Sequence, residues 1–183
     1  MGKIVVTEFI TIDGVIEDPG GSESHPRGGW AFAFERGDEG DQFKMDEVRA
    51  AGALLLGRTT YEGFASAWPS REGEFADLFN NMPKYVVSST LIDPEWNNSH
   101  VIDVDQVAGL RDSVDGDVLI NGSAQLVQEL AQHGLIDEYR LMVFPTILGG
   151  GKRLFGDTGE QIPLRQTSSR DAGQTRIDTY VPA

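Results

Sequence analysis

What most constrains this chain is a set of short apolar runs, each closed by a small polar turn. Ala53-Leu54-Leu55-Leu56 leads into Gly57-Arg58-Thr59-Thr60, Lys84-Tyr85-Val86-Val87 into Ser88-Ser89-Thr90, and Val118-Leu119-Ile120 into Asn121-Gly122-Ser123. Apolar runs without polar alternation suit strands buried on both faces, as in a parallel sheet covered by helices. Parallel neighbours need a crossover, and helical patterns fill the intervals between these runs. The sequence therefore predicts an α/β fold with a largely parallel sheet.

Residues 3–12 are rich in β-branched side chains and stop at Asp13-Gly14, which predicts a first, central strand. Residues 17–36 carry Pro19, Gly20, Gly21, Pro26, Gly28 and Gly29 and read as a long loop ending in Trp30, Phe32 and Phe34. Helices are expected over 41–51, with Gly52 as the stop, and over 59–67, 73–82, 107–114 and 123–133. Further strands are expected over 53–57, 84–88, 100–104, 117–120 and 139–144. After Pro145 the pattern changes. Gly149-Gly150-Gly151 reads as a flexible bend, and 164–169 with 175–181 as a closing antiparallel hairpin turning at Asp171-Ala172-Gly173. With 183 residues and no linker or repeat, the expectation is one domain, 1–183.

Composition removes several function classes. There are no cysteines, so disulfides, thiolate nucleophiles and cysteine-held zinc or iron–sulfur centres are excluded. His25, His100 and His133 have no ligand spacing, and no metal is expected. A net charge of −14 repels nucleic acid and anionic lipid, and no apolar run is long enough to span a bilayer. The first residues enter a strand without the flanks of an export signal, so a cytoplasmic protein is expected. An anionic cofactor stays compatible with this charge, because helix N-termini and one or two local cations hold such a group.

Gly57 allows close backbone approach, and Arg58, Thr59 and Thr60 supply a guanidinium, two hydroxyls and the first amides of a helix. Those are the parts of a phosphate site. The same residues also read as a turn glycine, a solvent arginine and a helix cap. Ser88, Ser89 and Thr90 are equally readable as loop chemistry, and Ser123 as an N-cap. In parallel sheets ligands bind beyond the carboxyl ends of strands, so three such ends together would form one crevice. No G-x-G-x-x-G follows the first strand, which sets aside an ordinary Rossmann site.

Ile12-Asp13-Gly14, Gly57 to Glu62, Val87-Ser88-Ser89 and Ile120 to Ser123 occur in the order found in dihydrofolate reductases, which the chain resembles. Leu135 to Tyr139, Phe144-Pro145, Leu148 to Gly151 and Leu154-Phe155 look still more like the reductase domain of bacterial riboflavin biosynthesis and its stand-alone relatives. The resemblance runs from about Lys3 to Val181. It implies a three-layer dihydrofolate reductase-like fold, a mixed, mostly parallel sheet flanked by helices and closed by the C-terminal antiparallel hairpin.

It also implies an NADPH-dependent reductase of a small heterocycle: a pyrimidine such as 5-amino-6-(5-phosphoribosylamino)uracil, or a pterin-like ring. By position, Gly57, Arg58, Thr59 and Thr60 would meet the phosphates of NADP, and Ser88 and Ser89 the adenosine portion. Asn121, Gly122 and Ser123 would approach the pyrophosphate or nicotinamide, Asn121 standing where the family often has glycine. Asp13 and Gly14 would border the nicotinamide and substrate. Counting back from Arg58 places Asp41 where dihydrofolate reductases keep the carboxylate that anchors the pterin, although Asp41 also reads as part of a solvated acidic face. Trp30 and Phe34 are candidates to wall a flat ring, or to pack in the core. A homodimer is implied as well, with Leu141, Val143 and Phe144 offering an apolar surface. The alternative function is a catalytically silent nucleotide-binding or regulatory module on the same fold.

Overall fold

The computed structural model describes residues 2–156 and 159–183. Its strands are β1 (Ile4–Thr11), β2 (Ala51–Gly57), β3 (Lys84–Val87), β4 (Ser99–Ile102), β5 (Asp117–Ile120), β6 (Glu138–Phe144), β7 (Leu164–Ala172) and β8 (Thr175–Pro182). The α-helices are α1 (Gly37–Ala50), α2 (Arg58–Ala67), α3 (Glu74–Asn81), α4 (Leu110–Ser113) and α5 (Ala124–Gln132). All eight strands join one sheet in the order β4-β3-β2-β5-β1-β6-β8-β7. Pairing is parallel from β4 through β6, and antiparallel where β8 meets β6 and β7.

Alternation along the central strands sends successive side chains to opposite faces, which builds two cores. Val5, Leu54, Leu56, Val86 and Leu119 pack with Val48 of α1, Tyr61 of α2 and Phe79 of α3. Ile4, Val6, Leu55, Val118 and Ile120 pack with Leu110 of α4 and with Leu126, Val127 and Leu130 of α5. The result is the expected three-layer α/β architecture, with the expected hairpin at its end.

Several local expectations are corrected. Gly52 does not stop a helix; it lies inside β2, at an irregularity in the β2–β5 pairing, because a Cβ there would come 2.2 Å from the Asp115 carbonyl oxygen. The helix before it starts at Gly37, with Asp38 and Glu39 in the first turn, where carboxylates meet the positive end of the dipole. The aromatic end of the predicted loop forms a 3-10 turn at Trp30–Ala33. Residues 104–109 form a second such turn, so only 110–113 of the predicted helix is α-helical. The hairpin strand β7 continues to Ala172. β6 lies between β1 and β8, with Leu141 and Phe144 buried in this chain's own core and Val143 partly buried, so Leu141 and Phe144 are not available as a partner surface.

Between α1 and the sheet runs a buried polar chain. The Arg140 guanidinium meets Glu138 (2.6 Å), Asp117 (3.0 Å) and Glu47 (3.5 Å). Glu47 is in turn bound by Lys44 (2.7 Å) and by the Thr7 hydroxyl (2.8 Å), and Lys44 also donates to Thr7 (2.6 Å).

Candidate active site

The strand pairing places a fork in the sheet. β1 pairs with β5 only from Ile4 to Val6, yet continues beside β6 to Thr11. Past Val6 and Ile120 the two strands part, and the chain leaving β5 turns through Asn121, Gly122 and Ser123 into α5. Gly122 has φ +59°, and a Cβ there would lie 2.9 Å from the Thr60 hydroxyl oxygen. Ser123 is also left-handed, at φ 56°, an unusual state for a side-chain-bearing residue. Its bonds offset that strain: its amide donates to the Thr60 hydroxyl (2.9 Å), and its own hydroxyl accepts from the Gly57 amide (2.9 Å) and donates to the Asn121 carbonyl (3.1 Å).

These bonds tie the start of α2 to the start of α5. Neither helix has a side-chain cap at its N-terminus, so their first amides face the same rim. At that rim Arg58 is half exposed, reaching Glu62 (2.7 Å) and the Thr90 hydroxyl (2.6 Å). The Ser88 hydroxyl accepts from the amides of Thr90 and Leu91 and shapes the turn after β3, and Ser89 is exposed beside it. Gly57, Arg58, Thr59, Thr60, Ser88, Ser89, Asn121, Gly122 and Ser123 thus gather at the carboxyl ends of β2, β3 and β5. Two surface clefts, of about 300 and 590 Å³, lie away from this rim, against α3 and around Trp96.

Gly122→Ala is expected to lower stability by about 1–2 kcal/mol, the cost of a Cβ in the left-handed region. Urea denaturation measures it against Gly63→Ala, where nothing lies within 4 Å and α2 gains a better helix former.

Asp13 accepts from the Thr11 hydroxyl (2.6 Å) and from the amides of Gly149 (2.9 Å) and Leu148 (3.1 Å). The Thr11 hydroxyl and the Gly149 amide hold its carboxyl down to about 2, so it is ionised near neutrality and supplies no proton there. Its role is to pin the glycine bend to the end of β1. Gly14 donates its amide to the Thr11 carbonyl (2.9 Å) in the same turn. The loop from Glu17 is organised around buried Asp18, which accepts from the amides of Glu23 (2.9 Å) and His25 (3.1 Å).

Three expected site residues lie elsewhere. Asp41 points to solvent, 64% exposed and paired with Arg36 (2.7 Å); the α1 carboxylate that faces the sheet is Glu47. Trp30 is buried edge-on against Phe144 (5.3 Å), with its indole N–H on the Glu17 carbonyl (2.8 Å). Phe34 packs on the same Phe144 ring (6.1 Å). Both aromatics serve the core under β6.

Sequence reasoning passed over Glu8. It stands on β1, buried, two residues past the last β1–β5 pair, with the Gly122 amide directed at its carboxyl. Its signal was present: Thr7-Glu8 interrupts an otherwise apolar strand that is buried on both faces.

A sheet with this order, this fork and this closing hairpin defines the dihydrofolate reductase-like class. Among solved structures, a dihydrofolate reductase from Enterococcus faecalis complexed with NADP(H) superposes with TM-score 0.60 at 17% identity, covering 99% of this chain and 96% of that one. A putative riboflavin biosynthesis protein from Shewanella sp. PV-4 superposes with TM-score 0.78 at 22% identity and 99% coverage of both chains. Residues 2–177 match the RibD C-terminal domain family, and the chain belongs to it. The Bacillus subtilis (strain 168) protein YwjB is 27% identical over 99% of this chain and 98% of its own length.

Proposed function

We propose that this protein is a reductase that uses NADPH to reduce a small heterocycle, a pyrimidine or a pterin-like ring. The observation that carries the reading is the pair of uncapped helix N-termini joined through Thr60, Ser123 and Gly57, with Arg58 at their rim. Oriented amides and a guanidinium suit the two charges of a dinucleotide bridge, and a local site of this kind works against a net charge of −14. Asn121 supports the fit: its Nδ2 is buried and has no hydrogen-bond partner among the described residues, so a ligand carbonyl there would satisfy it. Arg58, Thr59 and Thr60 would hold phosphate, the turn after β3 would border the adenosine, and Asn121 to Ser123 would face the bridge and the nicotinamide. When bound, the reduced cofactor supplies the hydride.

NADPH titration by tryptophan quenching, followed by loss of nicotinamide absorbance with a panel of candidate rings, tests this reading. Arg58→Ala is expected to weaken NADPH binding by roughly 1.5–3 kcal/mol, the range for a charge-assisted hydrogen bond. Unchanged affinity in that variant would remove the phosphate assignment. Binding without consumption of any ring would favour a silent nucleotide-binding module.

A further inference from the structure

Glu8 is a carboxyl placed where a sheet ordinarily tolerates none. It is 6% exposed, its Oε1 is buried with no hydrogen-bond partner among the described residues, and it stands in the fork between β1 and the turn that follows β5. Buried carboxylates are normally paired. Here the cation whose field favours its ionisation, Lys44 on α1, is already engaged by Glu47 and Thr7. Two further charges act on Glu8 through space, Glu23 on the loop after β1 and Glu47 on α1, and both oppose ionisation. Asn121, whose Nδ2 is likewise buried without a hydrogen-bond partner among the described residues, follows the last paired residue of β5, so two unsatisfied polar groups flank this fork.

We propose that Glu8 is the proton donor of the reduction, a carboxylic acid kept neutral so that its O–H faces the substrate ring. This inference rests on the reductase reading above. The carbon of a ring C=N bond takes a hydride from the reduced dinucleotide, which leaves oxidised. The ring nitrogen takes the Glu8 proton, so the O–H bond breaks, an N–H bond forms and C=N becomes CH–NH. The carboxylate left behind is received by the Gly122 amide and by the field of Lys44, and regains a proton from water. Burial, the dominant effect on this group, pushes its pKa well above the ordinary carboxylate range, which suits an acid working near neutral pH.

The test is Glu8→Gln, which keeps the shape of the neutral acid and removes its proton. Expected are NADPH affinity within about twofold of the parent, a turnover number lower by roughly 10²- to 10⁴-fold, the usual contribution of a general acid, and loss of the alkaline fall in turnover. A second readout does not depend on activity. The raised pKa stabilises the fold below the ordinary carboxylate range and loses that contribution as pH rises through the folded value. The melting temperature of Glu8→Gln minus that of the parent should therefore grow with pH. Parental turnover in Glu8→Gln, or a melting difference flat with pH, overturns the proposal. Failure of the parent to bind NADPH instead overturns the reductase reading, and the donor role falls with it.

Discussion

Arg140→Met is expected to lower the unfolding free energy by about 3–5 kcal/mol, the range for stranding a buried charge by removing its partner. Methionine fills a similar volume but donates nothing, so Glu138, Asp117 and Glu47 lose the guanidinium that now reaches all three. Glu47, whose side chain is only 3% accessible, keeps Lys44 and Thr7 on Oε2 but loses the guanidinium from Oε1. Urea denaturation at neutral pH measures the effect, and the slope should stay unchanged if the native sheet survives. A loss under 1 kcal/mol would mean that Lys3, which pairs with Glu138 (2.6 Å), together with Lys44 and Thr7 is enough to satisfy the carboxylates. The consequence extends to the site. Glu47 and Lys44 hold α1 on Thr7, and Thr7 precedes Glu8, so loosening α1 should also disturb the fork.

This network explains which parts of the molecule could be read in advance. Buried strands such as Leu54-Leu55-Leu56 and Val118-Leu119-Ile120 carry their environment in their composition, so the sheet and its three polar strand ends were legible. The helix α1 was not. An acidic segment carrying Asp38, Glu39, Asp41, Asp46 and Glu47 gives no local sign of which carboxylate looks inward. The face is chosen by Thr7, 40 residues earlier, and by Arg140 on β6. Counting back from Arg58 lands on Asp41, which lies on the solvent side of α1.

Long-range contacts decide the other departures too. Spacing of two made Trp30, Phe32 and Phe34 readable as a ring wall or as core. The ring that settles Trp30 and Phe34 is Phe144, more than a hundred residues away. Gly52 reads locally as a helix stop, whereas its lack of a side chain answers the Asp115 carbonyl across the β2–β5 pair. Glycines at 149–151 read as flexible, but the bend is held by Asp13 through the amides of Leu148 and Gly149. Each of these residues had its type fixed by a partner that no window of neighbouring sequence contains.

Lys84→Met is the second substitution with a large expected effect, roughly 3 kcal/mol of stability. The Lys84 side chain is fully buried at the start of β3, and its ammonium donates to the carbonyls of Asn80 (2.6 Å), Met82 (2.8 Å) and Asn97 (2.9 Å). It also lies 4.2 Å from the centre of the Trp96 ring. Three carbonyls would lose a charged donor, each such bond contributing about 1.5–3 kcal/mol, and the added apolar packing of methionine offsets only part of that. Burial brings the Lys84 pKa down to about 8, below its unfolded value. Between those two values the unfolded chain binds more protons than the folded one, so the parent gains stability as pH rises through that window. Methionine cannot follow, and the gap between the two proteins should widen from pH 7.5 to pH 10 in urea denaturation. A gap that is constant over this range would show that the carbonyls keep Lys84 charged throughout. Ser88 and Thr90 lie at the opposite end of β3 from Lys84, so NADPH affinity measured below the melting transition should match that of the parent.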